Sequence, residues 1–234
     1  MKKYISLLAV PALALLMGAC SKDTEGTTWV TYYPQMTVEG DLYVNWEAGK
    51  AFQDPGVSVV MNNEEVSSDL VTVTTTMDLT NPQPGFYTIT YGFANPEGIV
   101  AQSTRYVAVY PASDPVQGYY VTGDQSTRSG SEAFAAGKFF PIKVKANNGA
   151  YEVNDLLGGY YELGRGYGSA YALAGVLSIG ADGALTLDSY TKIGGWPDNA
   201  VENFGSASYD AATKTLHWVV GYAGTPFDVY ITKL

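Results

Sequence analysis

Cysteine and histidine are nearly missing, with one of each in 234 residues. A single Cys excludes an intrachain disulfide. One Cys with one His also excludes a Cys/His zinc centre and most triad chemistry. Basic residues are scarce, 13 Lys and Arg against 23 Asp and Glu, for a formal net charge of −10. Nucleic-acid binding draws most of its affinity from cations that neutralise phosphates, so nucleic acid is not expected as a partner. Charged residues of either sign make up only 15% of the chain and hydrophobic residues 46%, which argues against disorder. Beyond residue 20 no run approaches the ~20 apolar residues of a membrane-spanning helix. What is plentiful is Gly (26), Pro (11) and Tyr (19), the mixture of short strands and tight turns. The predicted class is all-β.

Residues 1–19 begin with Lys2 and Lys3, continue in an apolar run from Ile5 to Met17, and end in small residues before Cys20. That order predicts a secretion signal. With its sole cysteine at the cleavage point, Met17-Gly18-Ala19-Cys20 resembles the leader of a bacterial lipoprotein, departing from it only in Met17 at the first place. The resemblance implies cleavage before Cys20, acylation of its thiol and a lipid anchor. Ser21-Lys22-Asp23-Thr24-Glu25 looks like the acidic tract of Bacteroidetes lipoproteins exported to the cell surface. The expected location is therefore the outer membrane, lipid-anchored and facing outward, with residues 20–28 as the anchor and tether. Without Lys2 and Lys3 the mature chain is more acidic still, which suits an anionic exterior rather than an anionic partner.

Residues 29–111 alternate in the manner of half-buried antiparallel strands: Tyr87, Ile89, Tyr91 and Phe93 against Thr88, Thr90 and Gly92, and likewise Val71/Val73 and Val107/Val109. Asp54-Pro55-Gly56, Asn81-Pro82-Gln83-Pro84-Gly85 and Asn95-Pro96-Glu97-Gly98 supply turns. A small β-sandwich follows. Gly40-Asp41, the run Ala51 to Val57, the run Pro84 to Tyr91 and the closing Arg105-Tyr106-Val107-Ala108-Val109 together resemble an Ig-like domain of bacterial surface proteins, related to a module of pesticidal crystal proteins. The resemblance implies a spacer or presenter without catalytic residues.

Two prolines at Pro111 and Pro115 mark a seam, and residues 112–234 form a second unit. Ile142/Val144, Leu185/Leu187, Leu216/Trp218/Val220 and Phe227/Val229/Ile231 alternate there. Ala146-Asn147-Asn148-Gly149 and Ala181-Asp182-Gly183-Ala184 are expected as two-residue hairpin turns. About eight strands make an antiparallel β-barrel or β-sandwich, both of which fit. Glu132 to Gly137 allows one helical turn at most. From about residue 116 the chain resembles the C-terminal domain that accompanies this Ig-like module in Bacteroidetes lipoproteins, which supplies no residue roles.

The unusual stretch runs from Asp155 to Tyr171, with five glycines between 158 and 168 and four tyrosines. Tyrosine rings suit the apolar faces of sugar rings, and charged groups at their edge suit the hydroxyls. The candidate ligand-binding residues are Tyr160, Tyr161, Glu162, Arg165, Tyr167, Tyr171 and, from a second loop, Trp196, with Asp155 as a further polar contact. Gly-aromatic strings also mark barrel corners whose rings fill the core, and both uses can share one loop. Asp155 with Glu162 is the one carboxylate pair offered for glycoside hydrolysis, but a chain with 23 acids contains many such pairs. No phosphate-binding loop or spaced calcium loop is present, and His217 reads as a surface strand residue. The expectation is a non-catalytic surface lipoprotein without cofactor or metal. It binds a glycan in a polysaccharide capture system, with outer-membrane proteins as neighbours, or docks as a structural or adhesive protein on a protein partner. A glycan site is expected to be a groove lined by exposed rings, and a docking surface to be broader and flatter.

Overall fold

The computed structural model describes residues 31–234; the leader, Cys20 and its acidic tract lie outside them. The first unit contains β1 (Gln35–Val38), β2 (Tyr43–Glu47), β3 (Val57–Met61), β4 (Glu64–Glu65), β5 (Thr72–Thr75), β6 (Gly85–Ala94) and β7 (Val100–Tyr110). They form two sheets, β1-β3-β4 and β2-β7-β6-β5, with β2 parallel to β7. The period-2 pattern of β6 buries Ile89, Tyr91 and Phe93, and Ile89 and Tyr91 pack with Phe52, Met77, Val107 and Val109 into a sandwich core. Val73 departs from expectation. It lies on the edge strand β5 and is 53% exposed, because an alternation sets which faces differ but not whether a second sheet reaches the edge.

The residues that carry the Ig-like resemblance meet in one buried network. Arg105, 1% exposed, donates from Nε to Asp54 (3.0 Å) and to the Tyr91 hydroxyl (3.2 Å). Its terminal nitrogens donate to the main-chain oxygens of Glu39, Asp41 and Gly56. The Tyr91 hydroxyl in turn donates to Asp54 at 2.7 Å. A buried guanidinium is tolerable only with its donors satisfied, and the turns at 39–41 and 54–56 satisfy them.

The second unit contains β8 (Gly118–Thr122), β9 (Thr127–Arg128), β10 (Glu132–Ala133), β11 (Pro141–Asn147), β12 (Ala150–Val153), β13 (Gly175–Ile179), β14 (Leu185–Tyr190), β15 (Val201–Asp210), β16 (Thr215–Tyr222) and β17 (Thr225–Lys233). Glu132–Ala133 is strand paired with β9, not a helical turn. Apart from the β9–β10 hairpin the strands meander, each antiparallel to the next, and β17 returns to pair with β8. The curled sheet closes through a loose seam between β14 and β15, where an Ala184–Ser208 bridge and a 2.7 Å bond from Tyr209 N–H to Gly183 O are found. Of the two architectures that fitted the sequence, the curled antiparallel barrel is the one formed. Asn148 (φ 50°) and Gly149 (φ 88°) make the expected two-residue turn. The 180–184 connection is longer, and only Gly183 in it has positive φ. Trp218, Tyr120, Tyr222, Phe227 and Ile142 fill the interior.

The two units are joined by more than the chain. Asn45 of β2 pairs side-chain to backbone with Tyr119 of β8, donating at 2.8 Å and accepting at 2.7 Å, and also donates to Leu234 O. Gln117 donates to Val109 O at 2.7 Å. Tyr43 stacks on Tyr106 and meets Tyr119 and Phe139 edge-on or tilted.

Candidate functional site

The connection between β12 and β13, residues 154–174, folds into the barrel core before it reaches the surface. Leu156, Leu157, Tyr160 and Leu173 are buried with the strand side chains. Asp155 clips the two ends of this loop together: Oδ1 accepts the N–H of Leu157 (2.9 Å) and Leu173 (3.1 Å), and Oδ2 accepts that of Gly159 (3.0 Å). The Trp218 indole donates to Leu156 O and the Thr122 hydroxyl to Gly158 O. Gly158 has φ 63°, which favours glycine, and a Cβ there would crowd a Val229 methyl at 3.0 Å. A single π-helical turn, Tyr160–Gly164, carries the chain outward through bonds from Gly164 N–H to Gly159 O and from Arg165 N–H to Tyr160 O.

The sequence-based set separates into three groups. Tyr160 is 4% exposed and packs edge-on against Phe134 and Phe227; it is a core residue, not a ligand surface, because it follows the buried glycine pair into the barrel. Asp155 is fully buried on its three amide donors, so it offers no polar contact to a ligand. Burial pushes its carboxyl up to about 7, with those donors pulling the other way. Glu162 is half-buried with a raised pKa from desolvation, and its charge reaches Tyr43 of the first unit, while Arg165 pairs with Glu132. Asp155, offered with Glu162 as a carboxylate pair, spends both of its oxygens on main-chain amides.

Tyr161, Tyr167, Tyr171 and Trp196 do come together. Tyr161 and Tyr167 are stacked at 6.2 Å and 12°, and Trp196 meets Tyr161 at 4.6 Å and Tyr171 at 4.8 Å, both edge-on. Trp196 sits on the β14–β15 connection, anchored by buried Ile193. A Cβ at Gly195 would lie 2.6 Å from the Tyr171 ring, so glycine there lets the second loop lie against the first. Tyr167 is 52% exposed, and the other three rings are half-buried. Tyr161, Tyr171 and Trp196 pack against the barrel core and Tyr167 stands open above them, so the rings form a shelf with one exposed member. Five concavities of 310 to 510 Å³ lie elsewhere, among them one of 310 Å³ along β11–β14 lined by Lys143, Lys145, Asn154 and Tyr190.

Arg165 borders the shelf. It donates from Nε and one terminal nitrogen to the Tyr160 hydroxyl at 3.1 and 2.6 Å, and its charge reaches Tyr167. Arg128, which the sequence reading overlooked, lies 5.5 Å over the Tyr160 ring and contacts Glu132 at 3.3 Å. His217 lies outside this region, on β16, bonded to Asp228 at 2.8 Å and stacked on Tyr230. Among the described residues no group of His, Cys, Asp and Glu is arranged to hold a metal ion, and no helix is long and apolar enough to cross a membrane.

Residues 111–233 match the family model described as "-like, C-terminal domain", and residues 36–109 match that of "Bacterial surface protein, Ig-like domain". The crystal structure of the lipoprotein BT2262 from Bacteroides thetaiotaomicron is similar: 28% identity, a TM-score of 0.68, 86% of this chain covered and 100% of that one. No curated protein matches the chain.

Proposed function

The chain belongs to the family defined by this C-terminal domain, here preceded by a bacterial surface Ig-like domain, and from that premise we propose a non-catalytic, glycan-binding surface lipoprotein. In this reading Cys20 carries the lipid that holds it at the outer membrane, facing outward, within a polysaccharide capture system. The observation that carries it is the pre-assembled shelf of Tyr161, Tyr167, Tyr171 and Trp196 with charged groups at its border. An open shelf lets a sugar chain lie across the rings through its C–H faces without being enclosed. The similar lipoprotein supports the anchor, and the use of Asp155 in holding the loop supports a binder over a hydrolase.

The test is calorimetry and affinity electrophoresis of the detergent-solubilised mature protein against a panel of host and plant polysaccharides. Binding that falls at least about tenfold in Tyr167→Ala and Trp196→Ala, with an unchanged circular-dichroism spectrum, is the expected result. The exposed Tyr167 on a shelf of packed rings favours one second reading, docking on a protein partner in the outer membrane. Silence across the panel refutes the glycan reading and leaves that one.

A further inference from the structure

Two guanidinium groups converge at the border of the shelf on a single carboxylate. Glu132 lies 3.3 Å from Arg128 and 3.7 Å from Arg165, and both cations approach the Tyr160 ring, at 5.5 and 5.1 Å. The group therefore has a surplus of one positive charge. Like charges brought together on a protein surface repel unless an anion lies between them, and one shared carboxylate that is half-exposed on the solvent side satisfies this only in part. The donors are also incompletely used. Half of the Arg165 side chain is open to solvent; the Nε of Arg128 has no hydrogen-bond partner among the described residues but is itself buried, so Arg128 reaches a ligand only through its terminal nitrogens, one of which contacts Glu132. Guanidinium forks match carboxylates in shape, and more so than ammonium groups do.

We infer that the shelf selects acidic sugars: a uronic-acid residue stacks on Tyr167 while its carboxylate is held by Arg165 and Arg128, in competition with Glu132. This rests on the glycan reading above and names its substrate class. It also revises the expectation drawn from net charge. The chain is acidic as a whole, but charges beyond about 8 Å are screened at physiological ionic strength, so the adjacent guanidiniums decide what binds here.

The experiment presents the detergent-solubilised mature protein with three uronic-acid polymers (polygalacturonate, alginate and chondroitin), each beside its carboxyl-reduced, neutral form. At least one acidic polymer is expected to bind about tenfold or more tightly than its reduced form. Arg165→Gln and Arg128→Gln should abolish that difference. Glu132→Gln should enlarge it, a gain that a merely damaged loop does not produce. Equal binding of both forms, binding of neutral polysaccharides only, or a preference unaffected by the arginine variants overturns the inference while leaving a glycan binder. If no polysaccharide of either kind binds, the glycan reading itself fails.

Discussion

Asp155 holds the loop that carries the shelf, and its removal tests that role. In Asp155→Ala three buried N–H groups, those of Leu157, Gly159 and Leu173, lose their acceptor. At about 1–3 kcal/mol for each orphaned donor, and allowing for overlap among neighbours, the expected loss is about 3–6 kcal/mol, a large share of a domain's total stability. Asp155→Asn keeps an oxygen for Leu157 and Leu173 but turns an amide nitrogen toward the Gly159 N–H, so it should lose about 1–3 kcal/mol. The pH dependence has a definite sign. Burial raises the folded-state carboxyl from its usual value of 3.8 to about 7. The stabilisation tied to this group is thus fully present below pH 4 and is lost as pH rises toward 7, by at most about 4 kcal/mol. Urea denaturation of wild type and Asp155→Asn from pH 4 to pH 8 isolates it, since the Asn variant lacks the titration and should gain on wild type as pH rises. Near-ultraviolet circular dichroism of the shelf aromatics should weaken in Asp155→Ala before the strands unfold. A loss below about 1 kcal/mol in Asp155→Ala would refute the clip, and a wild-type–Asn difference independent of pH would refute the raised carboxyl pKa.

Arg105→Met removes the guanidinium that Asp54, Tyr91 and three main-chain oxygens surround. It leaves a nearly buried carboxylate and should destabilise the first sandwich by about 3–5 kcal/mol in urea titration; a neutral effect would show that the network is dispensable. Asn45→Ala breaks the pairing with Tyr119 and Leu234, at about 1–3 kcal/mol. Calorimetry should then resolve separate transitions for the two units where wild type gives one, and a single unchanged transition would show that the aromatic contacts couple them unaided.

The strands were legible because the period-2 pattern is local: Ile89, Tyr91 and Phe93, or Leu216, Trp218 and Val220, declare a buried face within a few residues. What sequence reading missed depends on distant partners. Val73 alternates correctly, but its exposure follows from sheet order. Arg105 is part of a recognisable string, yet its role depends on a turn 51 residues away. Asp155 had a local signal, an Asp two and four residues before the amides of Leu157 and Gly159 in a Gly-rich turn. Its reading as a ligand contact failed because nothing local reveals that Leu173 returns to close the clip. For Arg128 no signal existed, since its relation to Arg165 arises only when β9 pairs with the last strand.

The loop serves core and surface at once, and this constrains how the protein can bind. The barrel interior is occupied by Trp218, Tyr120, Tyr222 and the loop's own Leu156, Leu157 and Tyr160, so a ligand is received on the outside or not at all. A surface site gains little enclosure, and its affinity depends on how little ordering it requires. Tyr161 follows directly from the buried Tyr160, Trp196 is held by buried Ile193, and the loop ends are fixed by a buried carboxylate, so the rings are set before any ligand arrives. The same coupling means that substitutions inside the barrel near Leu156 or Leu173 should alter binding on the shelf they never touch. Substitution of Tyr167, the most exposed ring of the four, should alter binding while leaving stability nearly unchanged.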